Sequence, residues 1–171
     1  MRALKILFPC LLAFALTGCA GYQLGPVGGA QAGARSVEVL PFNNQTLQPR
    51  LGDSLTQSLR ERIQTDATYE LATRPGSGDL VVSGVIHQYV RSALGYLNTD
   101  FATPENYRLD VAVHVTARER ASGKLILDKE VRGHTFVRIG NDLASAEREA
   151  LPLLTEDLAN NVVEMLAEGT W

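Results

Sequence analysis

The chain has 171 residues, 45% hydrophobic and 20% charged, with a formal net charge of −3. That composition suits one globular domain and excludes a disordered, fibrous or multi-domain chain. The acidic balance argues against nucleic acid as a partner.

Arg2 and Lys5 precede an apolar run from Ile6 to Leu16, which is too short for a stable membrane span and has the form of a secretory signal. Leu16-Thr17-Gly18-Cys19 then reads as a bacterial lipobox, in which small residues fit the peptidase and the Cys19 thiol takes up diacylglycerol. Cleavage before Cys19 removes the signal at 1–18, and with it Arg2, Lys5 and Cys10. The mature chain is more acidic than the precursor and keeps no free thiol, which excludes disulfides, thiolate metal sites and thiol catalysis. Ala20 is not the aspartate of an inner-membrane retention signal, so the outer membrane is the expected destination, with the domain facing the periplasm.

Residues 19–35 carry Gly21, Gly25, Pro26, Gly28, Gly29 and Gly33, and read as a flexible tether reaching roughly 20–24 Å. No helix follows Gly25–Gly29, so they are not a phosphate cradle. A single domain is expected over 36–171.

Ser36 to Leu40 alternates apolar and polar residues before Pro41, which predicts a short strand. Leu51, Leu55, Leu59 and Ile63 recur every four residues and predict a helix over 49–66, with Pro49 in its first turn. After a short extended piece at 69–71 and a breaker at Pro75–Gly78, a strand is expected at 80–91. A second runs over 107–118, with Tyr107, Leu109, Val111, Val113 and Val115 on one face. Ala121-Ser122-Gly123 turns the chain into a third at 124–137, where Leu125, Leu127 and Val131 point inward and Lys129 suggests a bulge. Leu151, Leu154, Leu158, Val162, Met165 and Leu166 fall on one face of a helix over 143–168. Pro152 is expected to kink it or make it restart. Two helices with one apolar stripe each can cover one face of a four-stranded mixed sheet, giving an α+β two-layer sandwich. The first two main strands should be parallel through a right-handed crossover, and the later ones antiparallel.

The three histidines, His87, His114 and His134, lack metal-ligand spacing, and there is no nucleophile elbow, phosphate loop or dinucleotide fingerprint. Asp53, Asp66, Glu147, Glu149, Glu156, Asp157 and Glu164 read as solvated helix faces. No enzyme, cofactor or metal is expected; function lies in binding surfaces.

The topology brings Arg91, Arg108 and Arg138 to one end of the sheet, with Arg132 and His134 close by. Guanidinium groups grip phosphate in bidentate fashion, so this end could hold a phosphorylated glycolipid. The same end should carry a fifteen-residue loop, Ser92 to Asn106, with Tyr96, Leu97 and Phe101, and the turn at 41–46 with Phe42 and Asn44. Together they make a candidate docking tip.

These features resemble the lipopolysaccharide-assembly lipoprotein family, LptE. The resemblance rests on Cys19 with Gly21-Tyr22-Gln23-Leu24, Val39-Leu40-Pro41-Phe42-Asn43-Asn44-Gln45-Thr46, Leu55-Thr56, Tyr107-Arg108-Leu109, Ala146-Glu147 and Trp171. Two departures are Ala20, which separates the cysteine from Gly21-Tyr22, and Pro152, which interrupts a helix that the family keeps continuous. The resemblance implies a lipid-anchored domain that plugs the barrel LptD, helps it assemble and binds lipopolysaccharide. The turn after the first strand is also similar to other anchored periplasmic scaffolds, such as peptidoglycan-synthase activators and secretion components.

Overall fold

The computed structural model describes residues 35–66, 68–97, 100–138 and 142–168, with backbone alone at 96–97 and 100–103. The signal, Cys19, the tether up to residue 34, Trp171 and the side chains of Tyr96, Leu97 and Phe101 lie outside the described residues.

The elements in chain order are β1 (Ser36–Val39), β2 (Asn43–Asn44), α1 (Leu51–Asp66), β3 (Glu70–Leu71), β4 (Leu80–Leu97), β5 (Asp100–Glu119), β6 (Leu125–Arg138) and α2 (Leu143–Glu168). They form an α+β fold with two helices on one open mixed sheet, ordered β3-β1-β4-β5-β6, with β2 paired to β4 beyond β1. β1 is parallel to β3 and β4, and β2 to β4, while β4, β5 and β6 are antiparallel. The sheet therefore has six strands rather than the four expected. β2 and β3 are two residues each, too short to show alternation, and exist only because neighbouring strands recruit them.

α1 starts at Leu51, two residues later than the expected start with Pro49 in the first turn. Arg50 sits in the left-handed region (φ 62°), which no residue of a right-handed helix adopts, while its carbonyl accepts the first N–H, from Ser54 (2.8 Å). The expected stripe of Leu51, Leu55, Leu59 and Ile63 is buried. Thr56 Oγ1 accepts the Phe42 N–H (3.0 Å) and donates to the Gly52 carbonyl (2.7 Å). A Cβ at Gly52 would lie 2.6 Å from the Phe42 carbonyl oxygen, so only glycine lets the chain close in this way.

The loop expected at 92–106 is instead a continuation of β4 and β5, a ribbon that projects beyond the end of β6 at Arg138. Register shifts at Ala93/Gly95, Gly95/Tyr96 and Tyr96/Leu97 erase the two-residue period there, and Pro104 interrupts it again. Lys129 is not bulged: it faces Val115 in regular register, and the shift falls at Ala117/Arg118, between Leu127 and Leu125. That shift leaves Leu125, expected inward, 39% exposed.

α2 runs through Pro152 without restarting. Pro152 and Arg148 both lie on the exposed side, where water can reach the Arg148 carbonyl that the proline leaves unpaired. Leu151, Leu154, Leu158, Val162 and Leu166 are buried, and Met165 is half-buried. Thr155, fully buried, accepts from Ser58 Oγ (2.8 Å) and joins the two helices. Tyr69 OH donates to the Leu166 carbonyl (2.8 Å) and pins the far end of α2.

Candidate functional site

Both helices cover one face of the sheet, and among the described residues no element covers the opposite face of β4, β5 and β6. Alternation places Arg108, Asp110, His114 and Thr116 there on β5, between the buried Leu109, Val111, Val113 and Val115. β6 contributes Asp128, Glu130, Arg132, His134, Phe136 and Arg138, all exposed.

This face is laced with ion pairs and histidine–carboxylate contacts, some across strands and some along one strand. His87 Nε2 reaches over β5 to Glu130 (3.3 Å), His114 Nε2 lies 2.7 Å from Asp128, and Arg132 Nη2 lies 2.7 Å from Glu130. Arg108 pairs with Asp110 (2.9 Å) and Arg138 with Glu105 (3.0 Å). The Arg132 hydrogen bond above all, opposed by burial and helped by the Arg132 charge and the His87 imidazole, holds the Glu130 carboxyl below its ordinary range. The result is a wet, mixed-charge surface with complementary partners already in register.

Of the four candidate arginines, Arg108, Arg132 and Arg138 share this face. Arg91 does not, because it pairs in register with the buried Leu109 and points to the helix side. There its Nε meets Glu147 at 2.6 Å. Glu147, read as a solvated carboxylate, is 7% exposed and ties the start of α2 to β4. Burial, reinforced by the Glu147 charge and opposed by Arg91, pushes the Tyr89 hydroxyl up to about 12. Each of the four arginines thus holds a carboxylate of this chain, and an incoming phosphate would have to compete with it.

Phe42 is 5% exposed and belongs to the core against Gly84. Asn44 is half-buried: its Nδ2 donates to the Gln48 carbonyl (2.7 Å) and its Oδ1 accepts from Thr46 N (3.0 Å) and Oγ1 (2.7 Å). The resulting rigid loop presents Leu47 entirely to solvent. Sequence reasoning passed over Leu47 and Phe136, which is 62% exposed with its ring edge-on to His134 at 5.7 Å. Phe136 falls on the outward parity of β6, and that signal was available.

At the opposite end, the point where the upstream chain enters the domain is locked. Ser36 N and Oγ donate to Asp79 Oδ2 (2.9 and 2.8 Å), and Asp79 N donates back to Ser36 Oγ (3.0 Å). Those bonds hold the Asp79 carboxyl below its ordinary range. Arg120 pairs with Glu38, whose carboxylate also accepts the Gly76 N–H (2.9 Å). The point where residue 35 enters the domain and the projecting ribbon are therefore at opposite ends of the long strands.

No curated protein matches the chain. Several solved structures share its fold. A Xanthomonas campestris protein is 9% identical over 85% of this chain and 91% of its own, with a TM-score of 0.59. A hypothetical protein of Chlamydia trachomatis is 11% identical over 78% and 95%, with a TM-score of 0.55. A minor lipoprotein of Acinetobacter baumannii is 12% identical over 78% and 92%, with a TM-score of 0.52. At such identities the likeness speaks for the fold. The sequence itself matches the lipopolysaccharide-assembly family over residues 34–166, most of the domain, and the chain therefore belongs to the LptE family of lipopolysaccharide-assembly lipoproteins.

Proposed function

We propose that this lipoprotein is anchored to the outer membrane through Cys19, plugs and helps assemble the barrel LptD, and binds lipopolysaccharide for insertion into the outer leaflet. The observation that carries the reading is the uncovered sheet face. Large outer-membrane barrels have a polar, water-filled interior, and a plug needs a compact domain whose free face matches it. The ion pairs and histidine–carboxylate contacts of β4–β6 supply such a face, and the helices supply a backing. Lipopolysaccharide phosphates would exchange with the carboxylates on Arg108, Arg132 and Arg138, whose side chains are 46%, 77% and 79% exposed. Arg91 contributes from the helix side, and the ribbon of Tyr96, Leu97 and Phe101 docks to the partner together with the loop of Asn44. The role is one of binding, without catalysis.

A photo-crosslinker at His114 in cells should trap LptD, whereas one at Glu156 on the outer side of α2 should trap it far less. Trapping at Glu156 alone would refute the assignment of faces. Charge reversal at Arg108 and Arg138 should weaken lipopolysaccharide capture with the barrel complex intact; unchanged capture would refute the arginine assignment.

A further inference from the structure

Helix side chains guard two strand edges of this sheet. On β6, α2 lays two of them along the edge: Asp157 Oδ2 accepts the His134 N–H (2.9 Å) and Asn161 Nδ2 donates to the Arg132 carbonyl (2.9 Å). On β1, Arg60 of α1 donates to the Val39 carbonyl (2.8 Å). The reason for that second cap is local. β3 pairs only with Ser36 and Val37, and the Ala72 N–H to the Val37 carbonyl (2.9 Å) ends the ladder. Past that bond a groove of about 390 Å³ lies between residues 38–41, Arg60 and residues 71–75.

The groove carries two cations that no acid of this domain holds. Among the described residues neither Arg60 nor Arg74 pairs with a carboxylate, whereas Arg108, Arg132 and Arg138 each do. The one acid of the lining, Glu38, is 9% exposed and already engaged, by Arg120 and by the Gly76 N–H (2.9 Å). The rest of the lining is mostly apolar: Val39, Leu40, Pro41, Leu71, Ala72 and Pro75. Leu40 is 38% exposed. Free positive charge beside an apolar wall selects a ligand with an anionic head and an apolar body. A peptide strand is shut out, because Arg60 occupies the Val39 carbonyl and Pro41 offers no N–H.

We propose that this groove binds a small amphiphile with a single oxyanion head, a carboxylate or a phosphate, on a short aliphatic chain. Arg60 and Arg74 hold the head, since each guanidinium presents a planar fork of donors that matches paired oxygen atoms. The chain lies against Leu40, Pro41 and Leu71. Arg60 is half-buried and already oriented by the Val39 carbonyl, so it loses little freedom when the ligand arrives. Arg74 is exposed and closes on the head from the other side. The strand order puts β4 and β5 between this groove and the arginines of β6, so the site is separate from the lipopolysaccharide surface and does not rest on the barrel reading.

The full-length lipoprotein in dodecyl maltoside micelles is titrated with octanoate, octyl phosphate and octyltrimethylammonium, which share a chain and differ in the head. Nuclear magnetic resonance of the Leu40 methyl groups and the arginine Nε–H groups reads the groove. Octanoate or octyl phosphate should give saturable shifts at Leu40, Arg60 and Arg74, and the one that saturates at lower concentration identifies the head. The cation, which enters micelles as readily, should leave all three unmoved. Arg74→Gln should weaken binding of the anion about ten-fold, as loss of a hydrogen bond to a charged group implies, with unchanged circular dichroism. Arg118→Gln, at an exposed arginine outside the groove, should bind as the wild type does. Shifts that never saturate, equal shifts with the cation, or wild-type binding by Arg74→Gln overturn the proposal. If Arg74→Gln does not fold, the contrast between anion and cation on the native chain decides.

Discussion

Gly133 of β6 lies directly against Leu158 of α2, and replacing it tests how the helix layer is held on the sheet. A methyl there would lie 2.5 Å from Leu158 Cγ, 2.8 Å from Leu158 Cδ2 and 3.1 Å from Asp157 Oδ2. Leu158 is fully buried, so Gly133→Ala is an overpacking change expected to cost about 1–3 kcal/mol. Leu158→Ala alone leaves a cavity and should cost about 2–5 kcal/mol. In the double variant the new methyl occupies space that the leucine vacated. The combined loss should therefore fall short of the sum by roughly 1–2 kcal/mol, within the usual coupling of contacting residues. Part of the cost should persist, because the methyl still crowds the Asp157 carboxylate that accepts the His134 N–H. Urea unfolding of the four proteins, read from midpoints at constant m-value, measures the cycle. Additivity within about 0.5 kcal/mol would refute the packing argument.

Removing Arg91 leaves the Glu147 carboxylate buried beneath α2 without its cation. Arg91→Ala should cost about 1–2 kcal/mol, reduced from a fully buried pair because the arginine side chain is 41% exposed; a loss below about 0.5 kcal/mol in urea would show that the pair does not fasten the helix. Tyr89, pushed up to about 12 chiefly by burial, ionises earlier in the unfolded chain than in the folded one. Its contribution to stability is complete below the unfolded value near 10 and is lost as pH rises from there through about 12. Tyr89→Phe should flatten the fall in stability across that window, and an unchanged alkaline slope would contradict the assignment. Asp157→Ala with Asn161→Ala uncovers the β6 edge: the His134 amide should exchange with solvent faster, with little change at Val113 in the middle of the sheet, and equal protection in both chains would rule out a capping role.

Long periodic elements were legible from the residues alone. The leucine stripe of α1, the full extent of α2 and the parallel placement of β1 beside β4 follow from spacing and chain connection. β2 and β3 were not legible as sheet members because two residues carry no period and pair only by tertiary recruitment. The ribbon was read as a loop because its register shifts and Pro104 break alternation, although cross-strand pairing continues almost to its tip. Glu147 was read as solvated because its position in sequence gives no hint that Arg91, on a strand far earlier in the chain, reaches it. Chain topology did bring the arginines to one end of the sheet, but the Ile86/Gln88 shift puts Arg91 on the other face from Arg108. Phe42 looked like a surface contact and is core, because the chain must close between Gly52 and Gly84. Pro152 reads as a helix breaker and is tolerated because its lost hydrogen bond falls on the watered side.

The most direct measurement of the central claim is a pull-down of the tagged lipoprotein from native outer membranes in mild detergent, with mass spectrometry of what co-purifies and limited proteolysis of the complex. One large β-barrel protein at near-equal amount, which shields the domain from protease, is the expected result. A lipoprotein recovered alone, or with a peptidoglycan synthase in place of a barrel, would contradict the account of its partner.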